Sequence, residues 1–295
     1  MRVSLLHNPS AGEGASFEEV RRELARAGYE IASEIEKDSD FGRVLDEPVE
    51  FVVAAGGDGT VRQAARALAG SGVSLAILPL GTANNIAKSL GIEGEIRDVV
   101  EAWAQSRRLP FDLGLARGQW GESRFMESVG SGLVAVGIAA AEEHPDHGKD
   151  EPRKELARAI ERYAETLERL QSRRWTGLLD DEPVDGDFLL FEVLNVPSVG
   201  ANLALGPGAD PTDGRFDVVT AGEGERRRIA EYLEARSRGA EPVLELPTRH
   251  ARRAEITGWE QMHVDDELRR IAEAGKVTLE IEPGAIAFLV PREPD

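Results

Sequence analysis

At 295 residues, 41% hydrophobic and 30% charged, the chain has room for one large or two modest domains. Its formal net charge of -19, Asp+Glu 54 against Lys+Arg 35, opposes non-specific attraction to nucleic acid and to anionic bilayers. Cysteine is absent, which excludes disulfides, thiolate metal sites and a cysteine nucleophile; no run approaches the roughly 20 apolar residues of a membrane span, so the expectation is a soluble, cytoplasmic protein.

The first third alternates strand and helix patterns. Residues 2–7 predict a strand, and 16–28 a helix with Ser16 as N-cap, Glu18 and Glu19 in its first turn and Gly28 as its stop. A strand follows over 49–55, a helix from 60 to about 69, a strand over 74–78, then helices over 82–90 and 96–107. Repeated βα units predict a mostly parallel sheet, whose ligands bind at the C-terminal strand ends.

From residue 109 the texture becomes short strand-like runs: 111–117, 123–129, 175–179, 188–196, 216–219, 253–257, 277–281 and 285–290. Turn residues separate them, as in an antiparallel sandwich. Two helices interrupt this region, at about 152–171 and 225–236; in the first, Leu156, Ile160, Tyr163, Leu167 and Leu170 form one apolar stripe suited to core packing. His144 and His147 lie in a charged loop, without the third ligand a metal site needs. Arginine clusters at 173–174, 226–228 and 249–253 are solvated faces or one face toward lipid headgroups.

Gly56-Gly57-Asp58-Gly59-Thr60 links a buried strand to a helix, where backbone N–H groups and the helix dipole favour a phosphate. It is neither a Walker A loop nor a dinucleotide fingerprint. Asp58 would repel a bare phosphate unless a metal ion or hydroxyl intervened, so metal-assisted phosphate chemistry ranks above simple anion binding. Asn8-Pro9-Ser10-Ala11-Gly12 follows the first strand at the same sheet end. At a third strand end, in Pro79-Leu80-Gly81-Thr82-Ala83-Asn84, Thr82 could cap the next helix or bond a phosphate, with Lys88 as counter-charge. Asp210-Pro211-Thr212-Asp213-Gly214-Arg215 is an acidic turn suited to Mg²⁺ or Ca²⁺, or an ordinary turn. Asp265-Asp266-Glu267 follows the strand-like 262–264; if that strand continues, Asp265 and Glu267 project alike and act as a pair, one on metal and one accepting a proton, the alternative being a solvated hairpin.

These stretches, with Phe111-Asp112-Leu113-Gly114, Gly206-Pro207 and Asp213-Gly214-Arg215-Phe216-Asp217-Val218, occur in the order found in the diacylglycerol kinase catalytic-domain family, which the chain resembles over nearly its whole length. That family includes bacterial soluble lipid kinases, related to sphingosine kinases and more distantly to NAD kinases. The resemblance implies an α/β nucleotide-binding domain over 1–110, a β-sandwich domain over 111–295 whose tail after about 284 returns to the first, and an active site in the cleft between them. It implies an ATP- and Mg²⁺-dependent kinase that phosphorylates a lipid hydroxyl such as that of diacylglycerol.

By the same resemblance Asn8, Pro9, Ser10, Ala11, Gly12, Gly56, Gly57, Asp58, Gly59, Thr60, Thr82 and Lys88 bind ATP. Asp213 holds Mg²⁺ with oxygens of Asp210 and Arg215, Asp112 joins a polar network toward the site, and Asp265 and Glu267 are catalytic, Glu267 narrowly favoured as base. The implied partners are a lipid substrate met by peripheral membrane contact, with a homodimer left open and no nucleic acid. The chain departs from the family pattern at Asn85, where aspartate is usual, at Asp266 in place of glycine, at Lys88 for arginine, and at Glu127-Ser128, where many members have an asparagine. The rivals are a kinase of NAD or a soluble polyol, and a nucleotide-binding module that has lost transferase activity.

Overall fold

Glycine turns and buried apolar runs organise the computed structural model, which describes residues 1–8, 16–36, 41–143, 152–272 and 275–292. The chain forms two units, Met1–Phe111 with Pro283–Asp295, and Asp112–Glu282.

In the first unit β1 (Arg2–His7), α1 (Phe17–Arg26), β2 (Glu30–Glu36), β3 (Phe51–Gly56), α2 (Asp58–Leu68), β4 (Ser74–Pro79), α3 (Asn85–Ser89) and α4 (Ile96–Ala102) follow one another. The sheet order is β2-β1-β3-β4 and then the end of the chain's last strand, every neighbour parallel. Every residue of β3 is buried, as expected of a parallel strand covered on both faces. Ser16 caps α1 as its sequence predicts, its Oγ accepting from the Glu19 N–H at 3.2 Å. Tyr29, Phe51 and Trp103 meet edge to face at 5.5–5.7 Å.

β2 is not among the predicted strands, α4 ends at Ala102 short of the expected 107, and two further helices differ from their predicted bounds near the strand ends. Helix α2 begins at Asp58 rather than Thr60, with Gly57 as N-cap, so Asp58 is helical and not in mid-turn. The helix expected over 82–90 is only Asn85–Ser89, because Asn84 takes a left-handed φ of 51° and folds its amide back onto the turn. Asn84 Oδ1 accepts from Gly81 N, and Nδ2 donates to the Gly81 and Pro79 carbonyls. Thr82 therefore lies in a turn before α3 and is not its cap.

The second unit is entered through β5 (Arg107–Gly118). It continues through β6 (Gly121–Phe125), β7 (Ser128–Gly132), α5 (Leu133–Glu143), α6 (Pro152–Arg169), β8 (Arg173–Leu179), β9 (Glu182–Phe188), β10 (Leu190–Leu194), β11 (Ser198–Val199), β12 (Leu203–Ala204) and β13 (Phe216–Ala221). Then come α7 (Arg226–Ser237), β14 (Thr248–Ala251), β15 (Arg253–Thr257), β16 (Gln261–Val264), β17 (Glu267–Arg270) and β18 (Lys276–Val290). One antiparallel sheet has the order β14-β13-β10-β7-β16-β17; in the other, β18, β15, β8 and β9 are successive neighbours and β5 pairs with β18 and β6. Phe125, Trp175, Phe191, Phe216, Met262 and Leu279 belong to one core built from both sheets. A second apolar cluster joins Leu190 and Leu194 of β10 to helices α5, α6 and α7. The α/β unit with a parallel sheet and the β-rich antiparallel unit are the fold class read from the sequence.

The sequence pattern missed α5, since Leu133–Ala141 has no polar face to reveal a helical period. The runs at 277–281 and 285–290 are one strand, β18, despite Pro283-Gly284. Its residues before that pair are matched to β15 and those after it to β4, so proline falls where the ladder changes partner. The run at 123–129 is split between β6 and β7, and β9, β14 and β17 were not foreseen. Among the described residues no helix is long and apolar enough to cross a membrane. His144 and His147 lie outside the described residues.

Candidate active site

Register makes β1, β3 and β4 end level: His7 is opposite Ala55, and Gly56 opposite Pro79. Just beyond, two glycine turns touch through their backbones. A Cβ at Gly57 would lie 3.1 Å from Gly81 Cα, and one at Gly81 only 2.4 Å from Gly57 Cα. Leu80 N donates to Gly56 O at 3.0 Å, and Asn8 N to Ala55 O at 3.1 Å, which brings Asn8 to the same end. Gly57 offers α2 no capping side chain, and the N–H groups of Asp58 and Gly59 fall in the first turn, where no intrahelical acceptor exists. The result is an amide-rich rim that favours an anion.

Thr60 is 1% exposed; its hydroxyl packs over Gly56 and has no hydrogen-bond partner among the described residues. Thr82 is half-buried and Lys88 exposed. Pro9, Ser10, Ala11 and Gly12 lie outside the described residues.

Asp58 has a use that its sequence position does not reveal. Its two oxygens accept the N–H groups of Asn85 and Ile86, each at 3.0 Å, so it caps α3 from another segment. Burial raises the pKa of this carboxyl, opposed by those two N–H groups and by the charges of Arg62 and Lys88. The carboxylate thus has partners of its own within the protein. Arg62, 6% exposed and four residues along α2, was missed; Asp-Arg at i, i+4 was the available signal.

In the second unit Asp265 and Glu267 do not alternate along one strand. Val264 pairs with Glu267 across a β16–β17 hairpin whose two-residue turn is Asp265-Asp266. The positive φ of 54° falls on Asp265 and not on Asp266, so the missing family glycine imposes no left-handed strain at 266. Asp265 is buried, its carboxylate accepting Glu127 N at 2.9 Å and Met126 N at 3.1 Å, while its own N–H donates to Ser128 O at 2.8 Å. Glu267 is half-buried and ion-paired with Arg269, and Asp266 is exposed.

This turn is tied to the acidic one. Asn195, 1% exposed, donates from Nδ2 to both Met126 O and Asp112 O at 2.9 Å, and its N–H donates to Glu127 O. Asp112 in turn donates its N–H to Pro211 O and accepts Gly214 N through Oδ2, both at 2.7 Å. A hydrogen-bonded path thus runs from Asp265 to the 210–215 turn. Asn195 was not singled out in the sequence, and nothing in its local motif distinguishes it.

In that turn Asp210 Oδ1 accepts the Thr212 N–H and hydroxyl, and Asp213 Oδ1 accepts Arg215 N. Asp210, Asp213 and Arg215 are exposed. Among the described residues no group of three or more His, Cys, Asp or Glu could hold a metal ion. Two carboxylates with backbone oxygens nevertheless fit Mg²⁺ in kind, because that ion keeps several waters and takes one or two protein carboxylates. Elsewhere in this unit a cavity of about 850 Å³ lies beside α5 and α6, with Ala135, Val136, Ala140, Leu170 and Trp259 as its apolar lining and Arg162, Arg169 and Arg173 among its polar residues.

Residues 2–116 match the Diacylglycerol kinase catalytic domain family. A probable lipid kinase (YegS-like) of Pseudomonas aeruginosa is 32% identical over 230 residues, 72% of this chain and 70% of that protein. A diacylglycerol kinase of Mycobacterium tuberculosis is 26% identical over 270 residues, 86% of this chain and 84% of that one. The solved structure of a diacylglycerol kinase from Bacillus anthracis str. Sterne superimposes with a TM-score of 0.73 at 19% identity, covering 98% of this chain and 96% of that one, a likeness of fold. The chain belongs to the diacylglycerol kinase and lipid kinase family.

Proposed function

We propose that the protein transfers the γ-phosphoryl group of ATP to a lipid hydroxyl such as that of diacylglycerol. The observation that carries this reading is the rim where Gly57 and Gly81 meet at the level ends of β3 and β4, in a chain of lipid-kinase family. Asn8, the Gly56–Gly59 amides and the 80–84 turn with Thr82 would hold the phosphates, and Lys88 would offset their charge. Asp213, with oxygens of Asp210 and Arg215, would hold Mg²⁺, which supplies charge neutralisation to a phosphoryl transfer when bound.

Glu267 would take the acceptor's hydroxyl proton as its oxygen attacks the γ-phosphorus and the bond to the ADP oxygen breaks. Asp265 suits this role less, since it is buried and both its oxygens already accept main-chain N–H groups. Most of the rate enhancement in such a transfer comes from placement and from stabilising charge, so a rigid turn behind Glu267 matters. The apolar lining of the cavity beside α5 and α6 supports a place for the acceptor's acyl chain.

Labelled ATP, offered with diacylglycerol, other lipid alcohols and soluble polyols, tests the proposal. Labelled lipid is expected, with turnover by Glu267→Gln reduced about 100-fold or more and ATP affinity within about twofold of wild type. Labelled polyol alone would point to a different acceptor, and ATP binding without product to a regulatory module. Wild-type turnover by Glu267→Gln would remove that residue as base.

A further inference from the structure

A carboxylate and an imidazole are shut inside the six-stranded sheet of the second unit, each 0% exposed, and the chemistry proposed above uses neither. They are Glu192 of β10 and His263 of β16. Glu192 is opposite Gly130 of β7, and Gly130 is opposite His263, so the three residues lie in line across adjacent strands. Glycine at the middle position lets the outer side chains meet over it: a Cβ at 130 would lie 2.2 Å from the Glu192 carboxylate atoms. His263 Nε2 is 2.9 and 3.1 Å from the two carboxylate oxygens.

The other ring nitrogen faces the hairpin turn. His263 Nδ1 is 2.7 Å from Asp265 O. A carbonyl only accepts, so Nδ1 carries a proton, and the Nε2 contact to Glu192 holds a second, shared one. Burying such a pair is costly, and apolar residues of similar volume often serve stability as well or better. Its geometry indicates another use, because the bonded carbonyl belongs to the residue held at φ 54°, two places before Glu267.

We propose that Glu192 and His263 are positioning residues: through the His263 Nδ1–H bond to the Asp265 carbonyl they hold the left-handed Asp265 and so aim Glu267 at the acceptor hydroxyl. Glu192 fixes the imidazole in the protonation state that donates from Nδ1, and Ser128, which bonds Glu192, steadies the carboxylate. Tyr163 of α6 lies electrostatically near Glu192, with Arg162 and Glu127 near the phenol in turn, and burial keeps that phenol neutral. The Met126 and Glu127 amides anchor the Asp265 side chain, and His263 anchors its carbonyl, so the turn is held from two sides.

This rests on the reading of Glu267 as base, and the test separates the two. The double variant Glu192→Leu/His263→Leu replaces the buried pair with apolar side chains, so no charge is left unpaired. The expected result is a folded protein whose kcat for lipid phosphorylation falls by about tenfold or more while KM for ATP stays within about twofold. Glu192→Gln, whose amide can donate to Nε2 and preserve the Nδ1–H, should restore most of that turnover. Hydrogen exchange at the 265–267 amides should quicken by about tenfold in the double variant, with the β10 and β13 amides unchanged.

If the wild type phosphorylates no lipid, the functional reading falls and the exchange experiment alone decides the positioning. Should the double variant fail to fold, imidazole nitrogen NMR on the wild type decides: a protonated Nδ1 in His263 supports the arrangement, and an unprotonated one overturns it. Unchanged kcat and exchange in a folded double variant also overturn it.

Discussion

A methyl group at position 81 would stand 2.4 Å from Gly57 Cα and 2.9 Å from Asn84 Oδ1, inside the contact distance of any real carbon. Backbone against backbone leaves nothing flexible to yield. We expect Gly81→Ala to cost about 1–3 kcal/mol in denaturant unfolding and to weaken ATP binding measurably by calorimetry, because the turns must part to admit it. Unchanged affinity would remove the touching turns from the nucleotide site. At the same scale Asp58 has partners that its motif does not show. Its position suggests a metal or hydroxyl between carboxylate and phosphate, and the structure adds that the carboxylate accepts the Asn85 and Ile86 amides. A contact between residues 27 apart cannot be seen in the local string.

At the scale of elements, the 16–28 helix was legible because one side of α1 buries Val20 and Leu24 and its cap is a serine. Helix α5 was not, since its apolar residues leave no polar face to mark the period. That missed helix lines the cavity, so the pocket offered here for an acyl chain had no counterpart in the sequence reading. Ala140→Trp should fill part of it; the expectation is a KM for long-chain acceptors raised about tenfold, with ATP affinity unchanged, measured against a series of acyl lengths. Equal effects on short and long acceptors would remove the cavity from substrate binding. The 265–267 stretch was visible as acidic, but its division into a buried turn residue and a half-buried strand residue depends on where β16 ends.

The whole molecule closes the first unit with its last strand. Ala287 and Phe288 pair in parallel with Ser74 and Leu75 of β4, and this stretch buries Ile286, Phe288 and Val290, at 4%, 0% and 2% exposure. At about 1.5–3 kcal/mol for each buried side chain, their loss rivals the roughly 5–15 kcal/mol that stabilises a typical domain. Deleting residues 283–295 should therefore abolish ATP binding and the thermal transition of the first unit, followed by calorimetry. A truncated protein that still binds ATP would show that the strand is dispensable.

Periodicity and composition were enough to separate a βα-repeating part from a β-rich one, because side-chain burial on each element is written locally at spacings of two or between three and four. Glycine turns at strand ends marked the amide-rich rim for the same reason, as a backbone that must bend sharply selects glycine nearby. Only the tertiary structure joined Glu192 to His263 over Gly130, turned Asp58 into a cap for α3, and linked Asp265 through Asn195 to the turn at 210–215. Those partners are distant in the chain, and strand order and register, which no single segment encodes, decide which of them meet.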